Sequence, residues 1–143
     1  MSILRTLHVF GAIFLLGGVS SQVLLRPLAA SAEAVAKKAL YDLAWRIQVM
    51  LVYSGSALVL VTGLVLWLGR YKLFTGWLLL GVLLFVAALG LDGAFLSKNL
   101  RRTRAALADS TMLETADAAA TTIQVVSWFL LVVVVFLMVD RPF

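Results

Sequence analysis

The residues of this 143-residue chain best placed to do chemistry are its single histidine, His8, an aspartate inside an apolar run, Asp92, and the glutamines Gln22 and Gln48. A neutral imidazole is a metal ligand and a proton acceptor. A carboxylate surrounded by aliphatic residues is costly unless it meets a cation, a polar cavity or a proton, so Asp92 is a functional suspect by default. At about 100° per residue, His8, Gly11, Leu15, Gly18 and Gln22 fall on one helical face. Gly11 and Gly18 remove side chains where a flat ligand or a second helix could approach the backbone. Gln48, Gly55 and Thr62 share a face of a second segment in the same way.

The elements that must hold these residues follow from composition. With 63% hydrophobic residues, 13% charged residues and a mean hydropathy of +1.06, the chain is an integral membrane protein. Crossing a hydrocarbon core of ~30 Å takes roughly 20 apolar residues as a helix. Four stretches qualify: 6–25, 47–68, 73–96 and 118–139. The expected fold is all-α, a single transmembrane domain over 1–143 built as an antiparallel four-helix bundle. It leaves no room for a soluble catalytic domain. The first stretch reads as a retained helix, because it is too long for a signal-peptide core and no small-residue cleavage site precedes Arg26-Pro27. The absence of cysteine excludes disulfides, thiolate metal sites and covalent haem attachment. The net charge of +5 answers to anionic lipid and not to nucleic acid.

Between the first two spans, Pro27 is expected to stop the helix, and residues 29–45 read as an extra amphipathic helix on the cytoplasmic membrane surface. Its i,i+4 pairs would be Glu33–Lys37 and Asp42–Arg46. Arg5, Arg70, Lys72 and Arg141 flank one side of the spans; Arg26, Lys37, Lys38, Arg46, Lys98, Arg101, Arg102 and Arg104 flank the other. The positive-inside rule makes the second side cytoplasmic, with both termini on the outer side of the cell membrane. Asp92 then lies in the cytoplasmic half with Arg46 or Lys98 as its expected partner. The stretch from Lys98 to Arg104 forms a basic continuation suited to phosphate head groups. Thr111 to Glu114 has the spacing of a capping box ahead of the fourth span.

Four stretches together resemble a known superfamily: Arg5-Thr6-Leu7-His8-Val9-Phe10-Gly11 with Gly17-Gly18, then Arg46 to Gly69, Gly76 to Arg102, and the ending Val139-Asp140-Arg141-Pro142-Phe143. They are similar to the small membrane proteins that include HemJ-type protoporphyrinogen oxidases and CopD-type copper-resistance proteins, most of all to the uncharacterised four-helix members. The resemblance implies haem b at His8, which matches the first-helix histidine of HemJ-type proteins, with Arg5 matching the basic residue before it. HemJ-type proteins carry a further histidine late in the third helix, where this chain has Asp92, so oxidase activity is not expected. The four methionines, Met1, Met50, Met112 and Met138, form no copper motif.

Two functions are therefore expected in parallel. One is a haem b protein with an electron-transfer role, His8 ligating the iron and either Met138 or His8 of a second copy completing the axial pair. The other is a non-catalytic accessory subunit whose Gly and Ser faces dock onto a larger membrane complex. A proton path through Asp92, Gln22, Gln48 and Gln124 is a third reading, incomplete for want of polar residues towards the outer face.

Overall fold

A computed structural model describes residues 2–70, 76–108 and 117–140, and these are helical almost throughout. Helix α1 covers Ser2–Ser31, α2 Ala34–Ile47, α3 Ser54–Arg70, α4 Gly76–Gly90, α5 Ser97–Ala108 and α6 Asp117–Asp140. Two six-residue π-helical segments, Gln48–Tyr53 and Leu91–Leu96, weld α2 to α3 and α4 to α5. The result is four long rods, Ile3–Ser31, Ala34–Gly69, Gly76–Leu107 and Ala119–Asp140, each long and apolar enough to cross a membrane. The expected all-α membrane bundle is thus the observed fold.

Two expectations about the first connection are corrected. Pro27 does not end the first helix, which continues to Ser31. A proline removes one helical donor, yet the turns beyond it are held by packing: Ala29 is buried with Tyr41, Ala44 and Leu100. Ser31 then caps the end, its hydroxyl donating to the carbonyls of Pro27 and Leu28. Nor is 29–45 a separate helix lying on the membrane. Residues 34–47 form the first part of the second rod, so the hairpin turns within residues 32 and 33, and the buried stripe of α2 faces α1 and α5 instead of lipid. The carboxylate of Asp42 accordingly accepts from Nε of Arg104 in α5 at 2.7 Å, rather than pairing with Arg46 in its own helix. The capping-box stretch 111–114, Met1, Met112, Lys72 and the ending 141–143 lie outside the described residues.

The rods bury two apolar clusters at different depths. One joins Leu15, Val19, Val52, Phe85, Ala88, Leu131 and Val134 from all four rods; the other joins Ala29, Tyr41, Ala44 and Leu100. The remaining large apolar side chains, among them Phe10, Ile13, Leu64, Leu83 and Phe136, are exposed around the outside, as befits a bundle whose solvent is lipid.

Candidate functional site

The first and second rods meet closely along the face that the sequence singles out. A Cβ at Gly55 would come within 2.6 Å of the Leu15 backbone nitrogen, and one at Gly18 within 2.8 Å of the Val52 side chain; Gly11 faces Leu58 and Val59. The small residues are used for helix contact, which leaves the backbones too near for a flat ligand between them. At the N-terminal end of this seam, His8 is seated over Gly63, where a Cβ would lie 3.1 Å from the imidazole Cε1. Its Nδ1 is 2.9 Å from Thr62 Oγ1, and that hydroxyl in turn donates to the Leu58 carbonyl at 2.5 Å. With the Thr62 hydroxyl proton directed at Leu58, Thr62 Oγ1 is placed to accept from Nδ1, and the Val59 backbone also faces the ring. In that tautomer Nε2 keeps its lone pair.

At the other end of the same seam is a polar centre. Gln22 donates through Nε2 to Gln48 Oε1, and Gln48 Nε2 donates to Asp92 Oδ2 at 2.5 Å. The Gln48 amide also reaches Ser97 Oγ at 3.2 Å; that hydroxyl accepts from Tyr53 and donates to the Asp92 carbonyl. Gln48 and Asp92 each lie in a π-helical segment, where the wider turn re-aims side chains relative to an α-helical register. One turn beyond Gln22, the guanidinium of Arg26 is 1% exposed. It donates to Asn99 Oδ1 at 3.2 Å and to the Leu96 carbonyl at 3.3 Å, and its charge acts on Asp92.

The fourth rod contributes Gln124. Trp128 of α6 donates to Ser20 of α1, and Ser127 to the Ala88 carbonyl of α4. One turn earlier in this antiparallel register, Gln124 lies at the level of Gln22 and Asp92. Gln22, Gln48, Asp92 and Gln124 are all 4% exposed or less, and they form a polar layer between the two apolar clusters. Its hydrogen bonding is incomplete: Asp92 Oδ1, Gln22 Oε1 and both amide atoms of Gln124 are buried without a partner.

The sequence-derived residues thus separate into two stations on one seam. Gln22, Gln48 and Asp92 come together; Arg46, grouped with them from sequence, is exposed and takes no part. The partners of Asp92 are Gln48 and the charge of Arg26, not Arg46 or Lys98. His8 stands apart with Thr62 and Gly63. Met138 turns its methyl towards Gly81, packed against the apolar cluster between α4 and α6. Arg26, Tyr53, Ser97 and Asn99 were missed. Arg26 was findable, because it continues the series 8, 11, 15, 18, 22 by one more turn once Pro27 is read as compatible with the helix.

The fold and this layer define a small four-rod integral membrane protein with a buried, charged polar centre. The chain belongs to the family described as predicted integral membrane protein (DUF2269), whose model matches residues 2–142. No curated protein and no solved structure matches it.

Proposed function

We propose that this protein is a non-catalytic membrane module whose working group is Asp92, a carboxylate that binds and releases a proton on the cytoplasmic side. The observation that carries the reading is the unpartnered, buried Asp92 Oδ1 at the end of the Gln22-to-Gln48-to-Asp92 donor chain. A proton suits the site better than a metal ion. One carboxylate beside a guanidinium offers too little negative charge, and no group of three His, Cys, Asp or Glu occurs among the described residues. Arg26 links the layer to the half-buried Asn99, the side from which a proton would enter. The cluster of Leu15, Val19, Val52, Phe85, Ala88, Leu131 and Val134 closes the opposite side, which argues for a one-sided site and against a through-path. The cytoplasmic assignment rests on the charge asymmetry of the loops, and puts both termini outside the cell membrane.

The test is infrared difference spectroscopy of the protein in bilayers stepped between acid and alkaline buffer. A carboxyl band that titrates in the wild type and is missing in Asp92→Asn is the expected result. Identical difference spectra would sink the proposal.

A second reading is haem b at His8, supported by the Thr62 contact that fixes Nδ1 and leaves Nε2 as the donor, the way oxygen partners orient ligating histidines. The likeness of the Arg5-to-Gly11 stretch to HemJ-type proteins supports it too. The other expected residues do not fit a haem: Gly11 and Gly18 are covered by the second rod and Met138 is engaged at Gly81. An axial partner would then be His8 of a second copy. A Soret band in the purified protein that vanishes in His8→Ala is the expected outcome, and a colourless preparation from haem-replete cells refutes it. The accessory-subunit reading loses part of its motive, since Gly11, Gly18 and Gly55 are consumed inside the bundle; Gly17, Gly90 and Gly93 remain open.

A further inference from the structure

Where the second and third rods run beyond their apolar stretches, α2 and α5 enclose a cleft of 420 Å³ lined by Lys38, Tyr41, Asp42, Arg101, Arg104 and their neighbours. Three cations and one carboxylate line it, and that carboxylate is already engaged by Arg104. The guanidinium groups of Arg101 and Arg104 both lie over the Trp45 ring, at 5.0 and 5.4 Å from its centroid. Contact with one indole holds both guanidinium groups at the cleft, so two like charges are gathered there, which is unfavourable in the free protein and favourable once an anion neutralises them. A planar guanidinium presents a fork of donors that matches phosphate oxygens, and the lysine adds a point charge.

Depth fits the same ligand. The cations of the third rod begin at Lys98. At 1.5 Å per residue, Arg101 and Arg104 then stand about 5 to 10 Å outside the hydrocarbon edge, in the head-group layer.

We infer that this cleft is a binding site for a phosphate-bearing anion, held by Arg101, Arg104 and Lys38. The polar layer around Asp92 takes no part in it. The phosphate could belong to an anionic lipid head group or to a soluble molecule, and one experiment separates the two sources. Thermal unfolding of the detergent-purified protein is followed while phosphatidylglycerol, phosphatidylcholine or inorganic phosphate is added. The wild type is expected to show saturable stabilisation by phosphatidylglycerol or by phosphate, but not by phosphatidylcholine. In Lys38→Gln/Arg101→Gln the half-saturating concentration rises at least tenfold; in Lys98→Gln/Arg102→Gln, whose residues lie outside the cleft, it changes less than threefold. A response to phosphatidylglycerol alone assigns the lipid, and a response to phosphate assigns the soluble anion. Asp42→Asn, which removes the one carboxylate, should tighten binding. Absence of any saturable response, or equal weakening in both double variants, overturns the inference.

Discussion

Gln48 of the second rod donates its side-chain amide to the Asp92 carboxylate of the third, and takes in return the amide of Gln22 from the first. One glutamine therefore ties three membrane-crossing rods together through a buried charge. A hydrogen bond to a charged group contributes about 1.5–3 kcal/mol. Gln48→Leu is expected to destabilise the bundle by about that amount, measured by SDS-titrated unfolding in mixed micelles. In an Asp92→Asn background, where the acceptor is neutral, the same change should cost less. Equal costs in the two backgrounds would mean that Gln48 acts by packing alone.

Gly55 is the tightest point of the seam between the first two rods. A methyl group there would lie 2.6 Å from backbone, which cannot rotate away as a side chain could. Gly55→Ala should therefore cost at least the ~1–3 kcal/mol of an overpacked site. Gly17→Ala, with nothing within 4 Å of the added carbon, should cost nothing and gain up to about 1 kcal/mol of helix propensity. Paired thermal unfolding curves in detergent check both signs.

The apolar runs made the four rods legible, because length and hydropathy alone decide what can cross a bilayer. The face through His8, Gly11, Leu15, Gly18 and Gln22 was legible too, since a 3.6-residue period brings those positions together wherever the helix goes. What sequence left open was what that face meets: glycine spacing serves a porphyrin and a second helix equally well, and only the approach of Gly55 to Leu15 decides for the helix. The partner of Asp92 was misread for a different reason. Arg46 and Lys98 are the cations nearest the charge in depth or along the chain, but both are exposed, whereas Arg26 is buried one turn beyond Gln22 on the same helical face.

The contact between His8 and Thr62 predicts a tautomer. If the threonine hydroxyl is committed to Leu58, the ring hydrogen belongs on Nδ1. Nitrogen NMR of histidine-labelled protein at neutral pH should report a protonated Nδ1 and a bare Nε2. Thr62→Ser keeps the acceptor and should preserve that pattern. Thr62→Val removes it and should shift the population towards the Nε2–H form; an unchanged spectrum would show that Thr62 does not set the tautomer.

Arg26 and Asp92 are the opposite charges of the polar centre, both almost wholly buried. If they compensate each other through space, removing one leaves the other uncompensated in a low-dielectric surrounding. Arg26→Gln also surrenders its bonds to Asn99 and to the Leu96 carbonyl, so it should be the most destabilising of the substitutions considered for this layer. The discriminating variant is Arg26→Gln/Asp92→Asn. If electrostatic compensation dominates, the double variant unfolds closer to the wild type than Arg26→Gln does, because the stranded carboxylate has gone. If Arg26 matters chiefly as a clamp on Asn99 and Leu96, the double variant remains as unstable as the single one. The charge-pair account expects the first result, with at least half of the loss recovered in SDS-titrated unfolding.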